Sequence, residues 1–267
     1  MNYLFWNTYN NKNINPILKN IIKEYKCDVV ALAEYNADDE ELLKELQKDG
    51  INLYKVKQIA CKRIHLFTKY IPEKINHLPD STRYTIKEIP HDTLRSTIIA
   101  FIHLPSKLHS DNDTHKIQLA ELKRDIEDVE KKLKQNNTVI VGDFNVNPFE
   151  EAVVSASGLH SINSKRDAKR YSRKIYERDY SMFYNPMWQL LGDKKLPAGS
   201  YYYNSSSYIN YFWNIFDQVV IRPNLIENFN EEKLVIIDKV RGYNLLDKNN
   251  KPDKNISDHL PIFFEIK

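Results

Sequence analysis

The chain is short of cysteine, of long apolar runs and of net charge, and each shortage removes a class of protein. Its only cysteines, Cys27 and Cys61, lie far apart and have no histidines at ligand spacing. They frame neither a zinc site nor a disulfide scaffold, and they read as two buried thiols in a reducing cytoplasm. No stretch approaches the roughly 18 apolar residues of a membrane helix, so no transmembrane segment is expected. The opening MNYLFWNTYN has no basic stretch leading into an apolar core, so a secretory signal is not expected and a cytoplasmic location is. The formal net charge is +3, too small to announce a polyanion partner over the whole surface, so any basic face must be local. Internal repeats, linkers and low-complexity tails are missing as well. One domain over residues 1–267 is the expectation, and 42% hydrophobic residues suffice for a sizeable core.

What is present is a succession of short strands and amphipathic helices. Residues 3–6, 28–33, 52–56, 63–68, 84–89, 96–104, 138–141, 215–222, 234–238 and 261–266 read as strands. Asn15 and Pro16 start a helix whose face is Ile17, Leu18, Ile21, Ile22 and Tyr25. A second helix is expected over 38–48, with acids in its first turn, and a third, long and amphipathic, over 114–134. Shorter ones are expected near Phe149 and over 185–191.

The stretch TVIVGDFNVNP, residues 138–148, is the most informative. A β-branched run ends at Gly142, and Asp143 and Asn145 follow two residues apart. If the backbone stays extended, both heads project to one side. A carboxylate and an amide at the mouth of a buried strand can hold a divalent cation and a phosphate. A plain strand-ending turn is the competing reading, since Gly, Asp and Asn are ordinary turn residues. Glu34 likewise finishes an apolar strand, where a buried unpaired carboxylate would be costly. Asn7, Glu34, His103, Asp143, Asn145, Asp258 and His259 all stand at strand ends or beside them. If those ends share one edge of a sandwich, the side chains converge in an acidic pocket suited to Mg²⁺ or Mn²⁺. A histidine paired with a buried aspartate suits a base or an electrostatic clamp.

Asn7 after the first strand, Glu34 in LAEYN, GDFN at 142–145 and SDHLPI at 257–262 together resemble the endonuclease/exonuclease/phosphatase superfamily, in the family's order and over nearly the whole chain. The resemblance implies the deoxyribonuclease I-like fold, a two-sheet α/β sandwich with helices on the outer faces. It implies that Glu34 binds a catalytic Mg²⁺ (or Mn²⁺) with Asn7 beside it and Asp258 as a further ligand. Asp143 and Asn145 would position the attacking water and the scissile phosphate, and His259 would contact the phosphate or act as base. Asp217, in FDQVVI, matches the aspartate that orients that histidine. His103, in FIHLPS, resembles the strand-ending histidine of the deoxyribonuclease and sphingomyelinase branches. The abasic-site endonuclease branch usually has a tyrosine near there, so that specialised activity is not expected. The basic residue with glycine that the family often places before His103 has its nearest match in Arg95-Ser96, without the glycine.

The section 160–213 has no counterpart in the well-known branches and is read as a basic, aromatic-rich insertion, similar to one in a bacterial subgroup. Lys165, Arg166, Lys169, Arg170, Arg173, Lys174 and Arg178 crowd it, interleaved with Tyr171, Tyr176 and Tyr180. If the segment is helical, Arg166, Arg170, Arg173 and Lys174 share a broad face near the pocket mouth, and the three arginines are expected to bind substrate phosphates. A merely solvated helix face is the alternative. The aromatic residues between Tyr201 and Trp213 are expected to pack on a sheet rather than to stack bases. His65, His77, His91, His109, His115 and His160 are expected on the surface. The function expected is divalent-metal-dependent hydrolysis of phosphodiesters by in-line attack of water, with DNA or RNA as the substrate and partner. A phosphatase or phospholipase acting on inositol phosphates or lipid headgroups is the alternative, and an inactive binding module is the third.

Overall fold

Strands buried on both faces need near-continuous apolar sequence, and runs such as VVALA and STIIAFI supply it. The computed structural model describes residues 1–107, 111–193 and 195–267, so His109 lies outside the described residues. Among the described residues two large sheets form. One has six strands in the order Phe229–Ile236, Ile262–Ile266, Asn2–Asn7, Val29–Ala33, Ile64–Thr68 and Tyr54–Val56. The other has seven, ordered Asn76–Asp80, Tyr84–Pro90, Ser96–His103, Thr138–Asp143, Asp217–Ile221, Phe183–Tyr184 and Ser161–Ile162. The fold is the expected two-sheet α/β sandwich of the deoxyribonuclease I type.

Alternation along the strands sorts side chains into layers. Ile99, Phe101, Val139, Val141, Val219 and Ile221 belong to the core shared with the six-stranded sheet. Their neighbours Ile98, Ala100, Ile102, Ile140 and Val220 face the other way, under Leu119, Leu122, Ile126 and Val129 of the outer helix Asn112–Leu133. The helix Asn15–Tyr25 makes the crossover between the parallel strands Asn2–Asn7 and Val29–Ala33. The next helix, Asp39–Lys48, is capped by Asp38, whose side chain accepts from the backbone N–H groups of Glu40 and Glu41.

Three expectations need correcting. The basic segment is not one helix. Lys165–Ala168 forms a single turn, and Ser172–Ile175 then pairs with Arg178–Ser181 as a hairpin turning at Tyr176 and Glu177. Arg166, Arg170 and Arg173 therefore share no helical face. The aromatic cluster does not pack on a large sheet either; Tyr203, Tyr208, Tyr211 and Phe212 are exposed. Three histidines are buried rather than on the surface. His115 bridges the carbonyls of Asp111 and Pro105 at 2.9 and 2.8 Å, His160 meets the Ser181 carbonyl at 3.1 Å, and His91 Nδ1 accepts from the N–H of Leu94 at 3.2 Å. Burial, with Lys123 nearby, pushes His160 down to about 4. His65 is half-buried against Tyr35, and His77 is exposed as expected.

Gly142 sits in the strand before Asp143, where its neighbour approaches too closely for any side chain. A Cβ there would meet the backbone oxygen of Ile102 at 2.0 Å. Gly142→Ala is expected to lower stability by at least about 2 kcal/mol, read from urea unfolding, because a backbone cannot step aside as a side-chain tip can. A variant as stable as the parent would show that the two strands are not so closely apposed.

Candidate active site

Strand direction assembles the site. Asn2–Asn7 and Val29–Ala33 run parallel, so Asn7 and Glu34 leave the six-stranded sheet at one edge. Ser96–His103 and Thr138–Asp143 also run parallel, with His103 beside Asp143. The antiparallel neighbours begin where these strands end. Asp217 opens its strand opposite Asp143, and Asp258-His259 precedes the strand that pairs Ile262 with Phe5. His103, Asp143 and Asp217 continue the alternation of Phe101, Val141 and Val219, so all three point into the space between the sheets.

Asp143 is 1% exposed and lies at the centre. Its Oδ2 accepts from Asn7 Nδ2 at 3.1 Å, with His103 Nε2 and His259 Nε2 each at 3.9 Å. Its Oδ1 accepts from the backbone N–H of Asn145 at 2.9 Å. Asn145 does not continue the strand, as an extended backbone would require; it takes φ 52°, and its Nδ2 donates to the Leu104 carbonyl at 2.9 Å. The turn, rather than alternation, brings the two side chains together. Glu34 is also left-handed, φ 48°, a conformation that costs a non-glycine residue on the order of 1–3 kcal/mol. Thr8 Oγ1 and the N–H of Asn10 hold its carbonyl at 2.9 and 2.8 Å, while its carboxylate lies 3.5 Å from His103 Nε2.

His259 Nδ1 meets Asp217 Oδ2 at 2.8 Å in a fully enclosed setting. Burial opposes protonation of the imidazole, but the charges of Asp217 and Asp143 outweigh it and raise the histidine to about 10. Burial, with the charge of Asp217, raises Asp143 above the ordinary carboxylate range against the opposing pull of His259. Burial raises Asp258 too, and the charges of Glu34 and Asp143 add to the rise. His103 is lowered, chiefly by burial, with Arg63 and Arg83 contributing against Asp143.

Asp143, Asp217 and His259 have donor atoms within 4.8 Å of one another, a spacing a metal would accept. The short Asp217–His259 contact argues otherwise, since it commits Nδ1 and Oδ2 to a shared proton. Glu34 and Asp258, both half-exposed, keep oxygen donors to spare beside the buried Asp143. Asp258 Oδ1 is buried there without a hydrogen-bond partner.

The structure thus brings together Asn7, Glu34, His103, Asp143, Asn145, Asp217, Asp258 and His259. It does not bring Arg166, Arg170 or Arg173 to them. Their segment is anchored at the far end of both sheets. Lys165 pairs with Glu231 at 2.7 Å, Lys169 with Glu227 at 2.5 Å, and Arg222 Nη1 donates to Ser181 Oγ at 2.9 Å. Arg222 follows the strand Asp217–Ile221, about 16 Å of backbone from Asp217. Arg95 is likewise misplaced, because it precedes the strand that ends at His103. Among the described residues, the guanidiniums of Arg63 and Arg83 act on His103; Arg63 precedes Ile64, the partner of Ala33, and the Arg83 carbonyl accepts from the His103 N–H at 2.9 Å. Strand pairing was the signal that would have found them. Tyr201 was also missed as a site residue; its ring lies 4.6 Å from that of His259.

The sequence model of the Endonuclease/Exonuclease/phosphatase family matches residues 4–259. Among solved structures, a 3′ phosphatase from Neisseria bound to a product DNA hairpin is 16% identical with a TM-score of 0.58, covering 100% of this chain and 99% of that one. An AP endonuclease from Archaeoglobus fulgidus is 15% identical with a TM-score of 0.55, covering 100% and 99%. TDP2 from D. rerio, complexed with a single strand DNA product, is 14% identical with a TM-score of 0.53, covering 100% and 98%. At these identities the likeness shows the fold. No curated protein sequence matches the chain.

Ser257 ties the last motif to the first strand. Its hydroxyl donates to the Asn7 carbonyl at 2.7 Å and accepts from the His259 N–H at 3.1 Å, both buried. Ser257→Ala leaves both groups unpaired and is expected to cost about 1–3 kcal/mol in thermal or urea unfolding. A neutral substitution would mean that water replaces the hydroxyl there.

Proposed function

The chain belongs to the endonuclease/exonuclease/phosphatase family, and on that premise we propose that it hydrolyses phosphodiester bonds of nucleic acid with the help of Mg²⁺ or Mn²⁺. The observation that carries the reading is the convergence of Glu34, Asp143 and Asp258 with a His259–Asp217 pair at one edge of the sandwich. The donors fit a hard cation, being oxygens, and the orphaned Asp258 Oδ1 supplies the unmet demand for one. Glu34 and Asp258 would hold it, with Asn7 beside them. When bound, such a cation offsets charge on the phosphate and makes bound water a better nucleophile.

The side chains supply the rest. Asn145, anchored through Nδ2, has Oδ1 left to accept from the attacking water, which Asp143 beside it would orient. With Nδ1 held by Asp217, His259 has Nε2 left to donate to a phosphate oxygen. His103 stands ready at the same group from the neighbouring strand. The two guanidiniums, Arg63 and Arg83, lie where flanking phosphates would pass. Two similar structures contain DNA, the Neisseria phosphatase with its hairpin and the D. rerio protein with a single strand, and this supports a nucleic-acid substrate here.

Turnover should be abolished by excess chelator and restored by Mg²⁺ or Mn²⁺, tested across DNA, RNA, inositol phosphates, phospholipids and bis-p-nitrophenyl phosphate. Glu34→Gln keeps the shape of the side chain and removes its charge, and should lower kcat at least about a hundredfold. Full activity in chelator would sink the metal reading. Cleavage of phospholipids or inositol phosphates with polynucleotides left intact would overturn the substrate.

Asp217→Asn and His259→Ala should each slow the reaction strongly, and the double variant should be little slower than the slower single one. Additive losses would show that the two residues work separately.

A further inference from the structure

Residues 196–216 carry no charged side chain in a protein that is 28% charged, yet they abut the acidic centre. Within them Tyr201–Tyr202 pairs with Trp213–Asn214 as a separate two-stranded ribbon, and the loop 203–212 extends from its end. The ribbon is pinned to the site on both strands. Tyr201 bridges to His259, and the Leu260 N–H donates to the Ser200 carbonyl at 2.7 Å. Asn147, just beyond GDFN, donates through Nδ2 to Asn214 Oδ1 at 2.9 Å and accepts from the Ile215 N–H at 2.9 Å.

The loop is braced internally as well. The Tyr203 N–H donates to the Phe212 carbonyl at 2.8 Å, Asn210 Nδ2 donates to Asn204 Oδ1 at 2.8 Å, and the Phe212 N–H donates to Asn210 Oδ1 at 3.0 Å. On this braced arm the rings are largely open to water, although Tyr211 also meets the Phe149 ring edge-on at 5.1 Å. Tyr203 is 47% exposed, Tyr208 109%, Tyr211 53% and Phe212 48%. Tyr203 stands just past Tyr201–Tyr202, where the ribbon opens into the loop. Tyr9, 49% exposed, adjoins the site through its N–H, which donates to Asn7 Oδ1 at 3.1 Å. Rings held out of the core on an ordered support, and beginning at the catalytic histidine, are a surface waiting for flat partners. Without a cation of its own, the arm offers its rings more than a charge to a bound chain.

We propose that this arm stacks the unpaired bases of a single-stranded nucleic acid on one side of the scissile phosphate, an inference that rests on the phosphodiesterase reading above. Each base offers a face to a tyrosine, and stacking of this kind is indifferent to sequence. In a duplex those faces are covered by neighbouring bases, so the arm selects single strands, frayed ends or flaps.

The test replaces Tyr203, Tyr208 and Tyr211 together by Ser, and separately by Phe, which keeps the rings. None of the three touches the metal-binding or histidine groups. With a short single-stranded oligonucleotide the Ser variant should show KM raised at least about tenfold, and the Phe variant should restore it. Hydrolysis of bis-p-nitrophenyl phosphate, which has no bases, should stay at the parent rate in both. Binding in chelator, read by fluorescence anisotropy, should weaken in parallel. An oligonucleotide with abasic sugars should bind the parent as weakly as the intact one binds the Ser variant. Equal affinity of the parent for intact and abasic strands would overturn the inference, as would an unchanged KM in the Ser variant. Arm-dependent binding to anionic phospholipid vesicles with oligonucleotide binding unaltered would overturn it in favour of a membrane contact. Failure of the parent to cleave any phosphodiester defeats the enzymatic reading instead, and the chelator binding measurement still decides the role of the arm.

Discussion

A carboxylate taken out of water must be met by donors or it destabilises the fold by several kcal/mol, and Asp143 is such a carboxylate. Asn7 reaches it from the other sheet, the Asn145 N–H from its own turn, and two imidazoles face it from His103 and His259. Each comes from a different segment, so satisfying one buried charge fixes several registers at once. A slip of one residue in Thr138–Asp143 would turn Asp143 toward the outer helix, away from all of them. Gly142 lets this strand close on Ser96–His103, and Ser257 fixes the last motif to the first strand. Stability and the arrangement of reactive groups therefore have one origin.

The eight residues that meet at the site were legible in the sequence because they occupy one kind of place, the end of an apolar run. A strand with period two declares where its buried face stops, so a polar residue there stands out. What the sequence did not declare was direction. Arg166, Arg170 and Arg173 stand close after GDFN in the chain, but pairing with Glu227, Glu231 and the neighbourhood of Arg222 takes their segment to the far end of the sheets. Composition announces a basic patch without saying which edge it occupies. Arg63 and Arg83 are isolated in sequence and become neighbours of His103 only through strand pairing. The buried histidines were missed for a related reason. His115 and His160 are satisfied by backbone carbonyls, which have no residue-type signature.

The rim of the pocket is divided chemically. Guanidiniums flank the strand edge near His103, an uncharged aromatic ribbon covers His259, and the half-exposed carboxylates lie between them. On the proposed reading, a polymer with alternating charged and flat parts would meet both surfaces, and a compact charged headgroup only one.

The first strand, Asn2–Asn7, lies beside Ile262–Ile266, and the groups that meet at the pocket come from both. During synthesis the early strand must wait for almost the entire chain before its antiparallel neighbour exists, the kind of distant pairing that folds late. Until then Asn7 and Glu34 have neither Asp258 nor His259 beside them. A nascent chain therefore carries an incomplete centre until Ile262–Ile266 closes the sheet beside Asn2–Asn7.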